Sequence, residues 1–210
     1  MSPTDDLDSE KNLGRMKVEM KTGDEAFNKG KLPLGLSVLD FWQWSCSDLI
    51  ENTTRGILAE FLVATALGIS VKKPREGWAP WDLTANDGTK VEVKSAAFLQ
   101  VWYQKKHSKV KFGIGRTKAW DPETNKLSED LDRRSDVYVF ALHAHKDQST
   151  IDPLDVSQWE FFILPTALIN DRLGGAKSIS LSVLKGIHGD PAPYDRITEL
   201  VTFAKRIGSS

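Results

Sequence analysis

The chain has 210 residues, 40% of them hydrophobic, with 28 lysines and arginines against 29 acids and a single cysteine, Cys46. This composition suffices for a folded core and excludes a disulfide scaffold, a low-complexity chain and a protein coated in positive charge. No apolar run approaches the roughly 18 residues of a membrane span, and the acidic start "MSPTDDLDSE" lacks a secretory pattern, so a soluble, cytoplasmic protein is expected.

In chain order, residues 1–15 read as a disordered acidic tail with Asp5, Asp6, Asp8 and Glu10, and residues 16–210 as a single domain. "MKVEM" suggests a short edge strand. "SVLDFWQWSCSDLIENTTRGILAEFLVATALG" predicts two helices, about residues 37–50 and 54–68, with Asn52 or Thr53 capping the second and Gly68 stopping it. "VKKP" suggests a strand ending at Pro74, and hairpin strands follow at about 81–85 and 90–97. In "KVKFGIG", Val110, Phe112 and Ile114 alternate as in a half-buried strand. "AWDPETNKLSEDLDRRS" is a polar loop with turn chemistry at Asp121-Pro122 and Asn125. "DVYVFALHA" and "WEFFILP" are almost continuously apolar, as buried central strands are, and "PTALINDRL" and "YDRITELVTFAKRI" are short amphipathic helices. The fold class is therefore α/β (α+β), a central mixed β-sheet flanked by helices.

The hairpin concentrates charge. "ANDGT" suits a three-residue loop, with Asn86 and Asp87 in a type I turn and Gly88 left-handed. That loop pairs Ala85 with Thr89, Thr84 with Lys90, Leu83 with Val91 and Asp82 with Glu92. Opposed side chains share a face, and Lys94, two residues beyond Glu92, points the same way. A two-residue loop would instead oppose Asp82 to Val93 and scatter the cluster. Two opposed carboxylates repel; a wet polar face is one reading of them, a divalent cation held by oxygen ligands the other.

Glu60 adds a third acid. In "RGILAEFLVATALGI" it lies within the apolar stripe of a helix, and a buried carboxylate requires a partner. Either a distant lysine or arginine supplies it, or Glu60 faces the Asp82–Glu92–Lys94 cluster and joins a metal site.

A helical Glu60, a strand Asp82 and "EVK" at 92–94 on the paired strand resemble the core of the PD-(D/E)xK, or restriction-endonuclease-like, nuclease superfamily. The similarity covers about residues 53–142, with "PD" present as Trp81-Asp82 and Pro80 one place early. "LDFWQWSCSDLIENTTRGILAEFLVA" and "EVKSAAFLQVW" also resemble an uncharacterised bacterial and mobile-element branch of that superfamily. The resemblance implies a restriction-endonuclease-like core and Mg²⁺-dependent hydrolysis of DNA phosphodiester bonds, with Mn²⁺ able to substitute, in restriction, defence or mobile-element biology. It implies Asp82, Glu92 and the Val93 carbonyl as metal ligands, with Glu60 orienting water or binding a second ion. Lys94 would position or deprotonate the attacking water and stabilise the developing phosphorane. Gln100, just downstream, is an accessory candidate by analogy, against the stronger reading of a surface glutamine. The rival function is a non-catalytic nucleic-acid-binding protein that keeps the fold; a third reading is a structural protein whose acids are paired by arginines.

"VWYQKKHSKVKFGIGRTK" carries Lys105, Lys106, Lys109, Lys111, Arg116 and Lys118 and no acid, which makes it the candidate DNA-tracking surface. Trp102 and Tyr103 could stack on a base, but core packing is the preferred reading. Arg133 and Arg134 are candidate phosphate contacts, against a loop salt bridge with Asp130 or Asp132. In "HAH", His143 and His145 share a strand face; a wet strand end reads better than a metal pair without a third ligand. Cys46 on an apolar helix reads as packing. A two-strand cut by one small active site would favour a homodimer.

Overall fold

The computed structural model describes residues 14–77, 79–121 and 123–209. Residues 1–13 of the expected acidic tail and Pro122 of the expected turn lie outside the described residues.

An antiparallel hairpin, β1 (Ala26–Lys29) and β2 (Leu32–Ser37), leads into α1 (Val38–Cys46). Ser37 and Asp40 form a capping box at the start of α1, satisfying two of its free N–H groups reciprocally. Helix α2 (Asn52–Ala66) is capped by the Glu51 carboxylate, which accepts from the Thr53 and Thr54 N–H groups. Neither expected cap serves, because the Asn52 side chain accepts instead from Arg55 Nη2 at 2.6 Å. Gly68 does follow the helix end in the left-handed region, φ +66°.

Next come β3 (Leu83–Thr84), β4 (Lys90–Ala97), β5 (Lys111–Gly113) and the two-residue strands β6 (Trp120–Asp121) and β7 (Lys126–Leu127). They are followed by β8 (Val137–His143), β9 (Trp159–Pro165), α3 (Thr166–Leu173), β10 (Ser178–Ser180), α4 (Leu181–His188) and α5 (Ile197–Gly208). The strands expected at "MKVEM" and "VKKP" do not form. The β1–β2 hairpin, β10 and α4 escaped the sequence reading: Pro33 and Gly35 interrupt β2, β10 has three residues, and Gly186 sits inside α4.

The central sheet has the order β3-β4-β8-β9, with β4 parallel to β8 and both outer pairs antiparallel. This is the mixed sheet expected. Alternation divides its side chains. Val91, Val93, Val137, Val139 and Phe161 pack with Ala59 and Val63 of α2 and Val201 of α5. Tyr138, Phe140, Leu142 and Phe162 take the other face, against Phe112 and Ile114 around β5, Ile179 of β10 and Leu184 of α4. Both faces of β8 are buried, which explains its continuous apolar run.

His143, expected at a wet strand end, is 1% exposed, edge-on to Trp159 with ring centroids 5.0 Å apart. Its Nε2 is buried without a hydrogen-bond partner, and burial pushes its pKa below the ordinary histidine value. Below about pH 6.5 the unfolded chain therefore takes up a proton that folded His143 refuses, and stability is lost as pH falls toward the folded pKa. We expect His143→Phe to flatten the dependence of Tm on pH below about 6.5, by up to about 1.4 kcal/mol per pH unit in stability terms. Parallel wild-type and variant slopes in thermal melts would count against this.

Candidate active site

The turn sets the site. Leu83 pairs with Val91 and Thr84 with Lys90, the Ala85 N–H donates to the Thr89 carbonyl, and Gly88 has φ +82°. Asp87 holds the turn by accepting from both the Thr89 N–H and hydroxyl. This is the three-residue loop, and its register puts Asp82 beside Glu92.

Strand β3 begins only at Leu83, so β4 has an open edge beyond Val91. The Asp82 N–H donates to the Val91 carbonyl, and the Asp82 carboxylate folds over the open edge to accept from the Val93 N–H at 2.7 Å. A strand residue directs its N–H and C=O to the same side, so the Val93 carbonyl lies along this edge beside Asp82. Lys94 ion-pairs with Glu92 on the same face. Burial pushes the Glu92 pKa up, the Asp82 charge adds to that, Lys94 opposes it, and the Glu60 charge raises it further.

Glu60 comes from α2, in the layer against the opposite face of the sheet. Its carboxylate takes a bidentate pair from the Arg75 guanidinium, with the Nη2 contact at 2.7 Å. The partner left open by the sequence is thus Arg75, whose pKa is raised first by the hydrogen bond to Glu60 and also by the Asp82 charge. The three acids and two cations therefore belong to one electrostatic cluster at the open edge of β4. Among the described residues no three His, Cys, Asp or Glu side chains are grouped closely enough to hold a metal ion as they stand. The donor set is two carboxylates and one carbonyl, with Glu60 on its own counter-ion. Mg²⁺ is commonly held by one or two carboxylates, its shell completed by water and substrate phosphate. A half-buried carboxylate whose pKa is raised by desolvation and by a neighbouring acid is chemistry that a divalent cation relieves, so the residues fit such an ion.

Glu92 and Lys94 open into a cleft of about 260 Å³, bordered by Thr117, Arg133, Arg134 and Tyr138. Tyr138 stands opposite Glu92 in the parallel β4–β8 register. Its pKa is pushed up to about 12, by burial and then by the Glu92 charge, so at neutral pH it remains a hydroxyl donor. Tyr138 was not singled out from sequence, although it is the one polar-tipped residue in the run "VYVFAL"; Arg75 carried no signal, since "KKPREG" has no periodicity.

Arg133 is a structural residue. It is 5% exposed, and its guanidinium donates to the Ile114, Gly174 and Ala176 carbonyls and to Asn170 Oδ1. Arg134 makes the loop salt bridge with Asp130 and also donates to Ser128 Oγ. Gln100 lies away from the cleft, receiving Arg55 Nη1 and donating to the Ala97 carbonyl. Lys105, Lys106, Lys109, Lys111, Arg116 and Lys118 are all exposed. Trp102 and Tyr103 are exposed too, at 53% and 85%, which overturns the core reading. His145 donates to or accepts from the Thr150 hydroxyl at 2.7 Å.

A family model described as Bacteriophage T4 endonuclease IV matches residues 39–182, a span that includes Glu60, Asp82, Glu92 and Lys94. Neither a curated protein nor a solved structure matches the chain. No helix among the described residues is long and apolar enough to cross a membrane.

Proposed function

The chain belongs to the bacteriophage T4 endonuclease IV family, and from that premise we propose that it is a metal-dependent DNA endonuclease built on the PD-(D/E)xK pattern. The observation that supports this most is the closeness of Asp82, just before β3, to Glu92, whose pKa its charge raises, with Lys94 paired to Glu92 at the mouth of a cleft. Restriction, defence or mobile-element biology is the setting we assign to it.

In this reading Asp82, Glu92 and the Val93 carbonyl hold Mg²⁺, or Mn²⁺ in its place. The ion, when bound, supplies a Lewis acid for the scissile phosphate and lowers the pKa of water. With Glu92 engaged by a cation, the Lys94 ammonium would be free to orient the attacking water and to stabilise negative charge developing on the phosphate oxygens. Tyr138, held protonated, donates to a phosphate oxygen entering the cleft. Glu60 keeps Arg75 at the rim, and would be the carboxylate available to a second ion. The exposed lysines of residues 101–118 follow the DNA backbone, with Trp102 and Tyr103 offering faces on which bases stack.

Cleavage of supercoiled plasmid and of single-stranded DNA with Mg²⁺, Mn²⁺ or EDTA tests the proposal. Metal-dependent nicking of either substrate is the expected result. DNA retardation without cleavage or metal-linked stabilisation would instead establish the non-catalytic binding protein, in which the Glu92–Lys94 and Glu60–Arg75 pairs satisfy the acids. A calorimetric corollary follows. Mn²⁺ at about a hundred times its Kd should stabilise the wild-type fold by about 2.7 kcal/mol, and should leave Asp82→Asn where it was. Equal shifts of Tm in both proteins would remove Asp82 from the metal site.

A further inference from the structure

The segment from Met16 to Cys46 is anomalous in its burial. Only Gly23 in it is buried, although the segment is rich in large apolar side chains. Leu32, Leu34 and Leu36 of β2 and Leu39, Phe41 and Trp44 of α1 are all exposed, from 47% for Phe41 to 84% for Trp44. The hairpin and helix nonetheless form one unit. The Val38 and Leu39 N–H groups donate to the Glu25 and Gly23 carbonyls. A Cβ on Gly23 would meet the Trp42 ring at 3.3 Å, so the turn there is closed against α1. A two-stranded hairpin with one short helix is marginal by itself in water, and so many exposed large apolar side chains on one small arm mark an interaction site.

We propose that this arm is the surface through which two copies of the chain associate about a twofold axis. Area is the first argument. At roughly 200 Å² per fully exposed large side chain, the six residues leave on the order of 700 Å² uncovered, close to the roughly 800 Å² per partner of a standard interface. Charge is the second. Residues 16–46 carry Lys17, Lys21, Lys29 and Lys31 against Glu19, Asp24, Glu25 and Asp40, so the arm is neutral. Two neutral copies meet without net repulsion, whereas a nucleic-acid backbone would select an excess of lysine and arginine. Cover from the chain's own residues 1–13 is a poor match in composition, since their large apolar side chains are Met1, Leu7 and Leu13 against the many on the arm. In an isologous contact each exposed leucine of β2 meets the same patch on its partner, so one face both supplies and fills the interface. Cys46, at the end of α1, is exposed rather than packed.

Sedimentation velocity of the full chain at micromolar concentration, without DNA or metal, tests the proposal independently of any endonuclease activity. The expected mass is twice the 23.5 kDa of one chain. The Leu34→Glu/Trp44→Glu double variant should sediment as one chain while keeping the wild-type circular dichroism. Should that variant aggregate, Trp44→Ala, which adds no charge, is expected to weaken the dimer at least ~10-fold in Kd. A wild-type mass of one chain throughout, as an arm reserved for another protein or for DNA would give, overturns the proposal. So does a dimer that is insensitive to both substitutions.

Discussion

Asp82→Asn and Lys94→Ala should each reduce Mg²⁺-dependent cleavage by roughly 10²–10³-fold or more, with little change in melting temperature. The asparagine keeps an oxygen for the Val93 N–H, so the open edge of β4 stays closed and only the charge is lost. Lys94 is about one-third exposed in its side chain, so truncating it leaves no large cavity. Its loss also removes the ammonium that opposes the rise in the Glu92 pKa, so the Glu92 pKa should climb further. The two variants separate by their metal response. Asp82→Asn should lose metal-linked stabilisation together with activity. Lys94→Ala should retain it, because a lysine that acts on water and phosphate is not a ligand. Plasmid nicking assays read beside thermal melts with Mn²⁺ make the comparison. If Lys94→Ala cleaves at the wild-type rate, the assignment of chemistry to this face fails.

Arg133→Ala should have the largest effect on stability without touching the carboxylates. The guanidinium ties the end of β5 to the loop after α3 by donating to the Ile114 carbonyl at 2.6 Å, Asn170 Oδ1 at 2.6 Å, and the Gly174 and Ala176 carbonyls at 2.9 and 3.0 Å. Each acceptor left buried and unsatisfied costs about 1–3 kcal/mol. Water reaching some of them reduces the total to about 3–5 kcal/mol, or on the order of 10 °C in Tm for a chain of this length. Lysine is no substitute, because it lacks the planar fork that reaches carbonyls from two directions. Arg134→Ala is the control: its ion pair is with an exposed Asp130, and such pairs contribute at most about 1 kcal/mol. Chemical denaturation of the two variants gives the contrast directly. Similar losses in both would mean that the Arg133 acceptors find water freely.

How the site came to be legible in the sequence is a matter of local geometry. "ANDGT" selects a turn within a few residues, the turn fixes the register of Leu83 on Val91, and Asp82, one residue further, is thereby left near Glu92 and bonded to the Val93 N–H. The continuous apolar runs of β8 and β9 announced central strands for an equally local reason, since burial on both faces leaves no polar alternation. Charge patterning likewise marked residues 101–118 as an exposed basic surface.

What the sequence left open depended on contacts between distant elements. The partner of Glu60 is fifteen residues away on a segment without periodicity, and only the packing of α2 against β4 brings Arg75 to it. Arg133 and Arg134 look alike in sequence, yet one is buried among carbonyls and the other lies on the loop surface, because the fold places Asn170, Gly174 and Ala176 around the first alone. Tyr138 meets Glu92 only through the parallel pairing of β4 with β8, a crossover whose register no local pattern encodes. Trp102, Tyr103 and the leucines of the arm are apolar residues for which composition argues burial. Whether an apolar side chain finds a neighbour is decided by the whole chain, and for these the described residues supply only part of the cover that composition led one to expect.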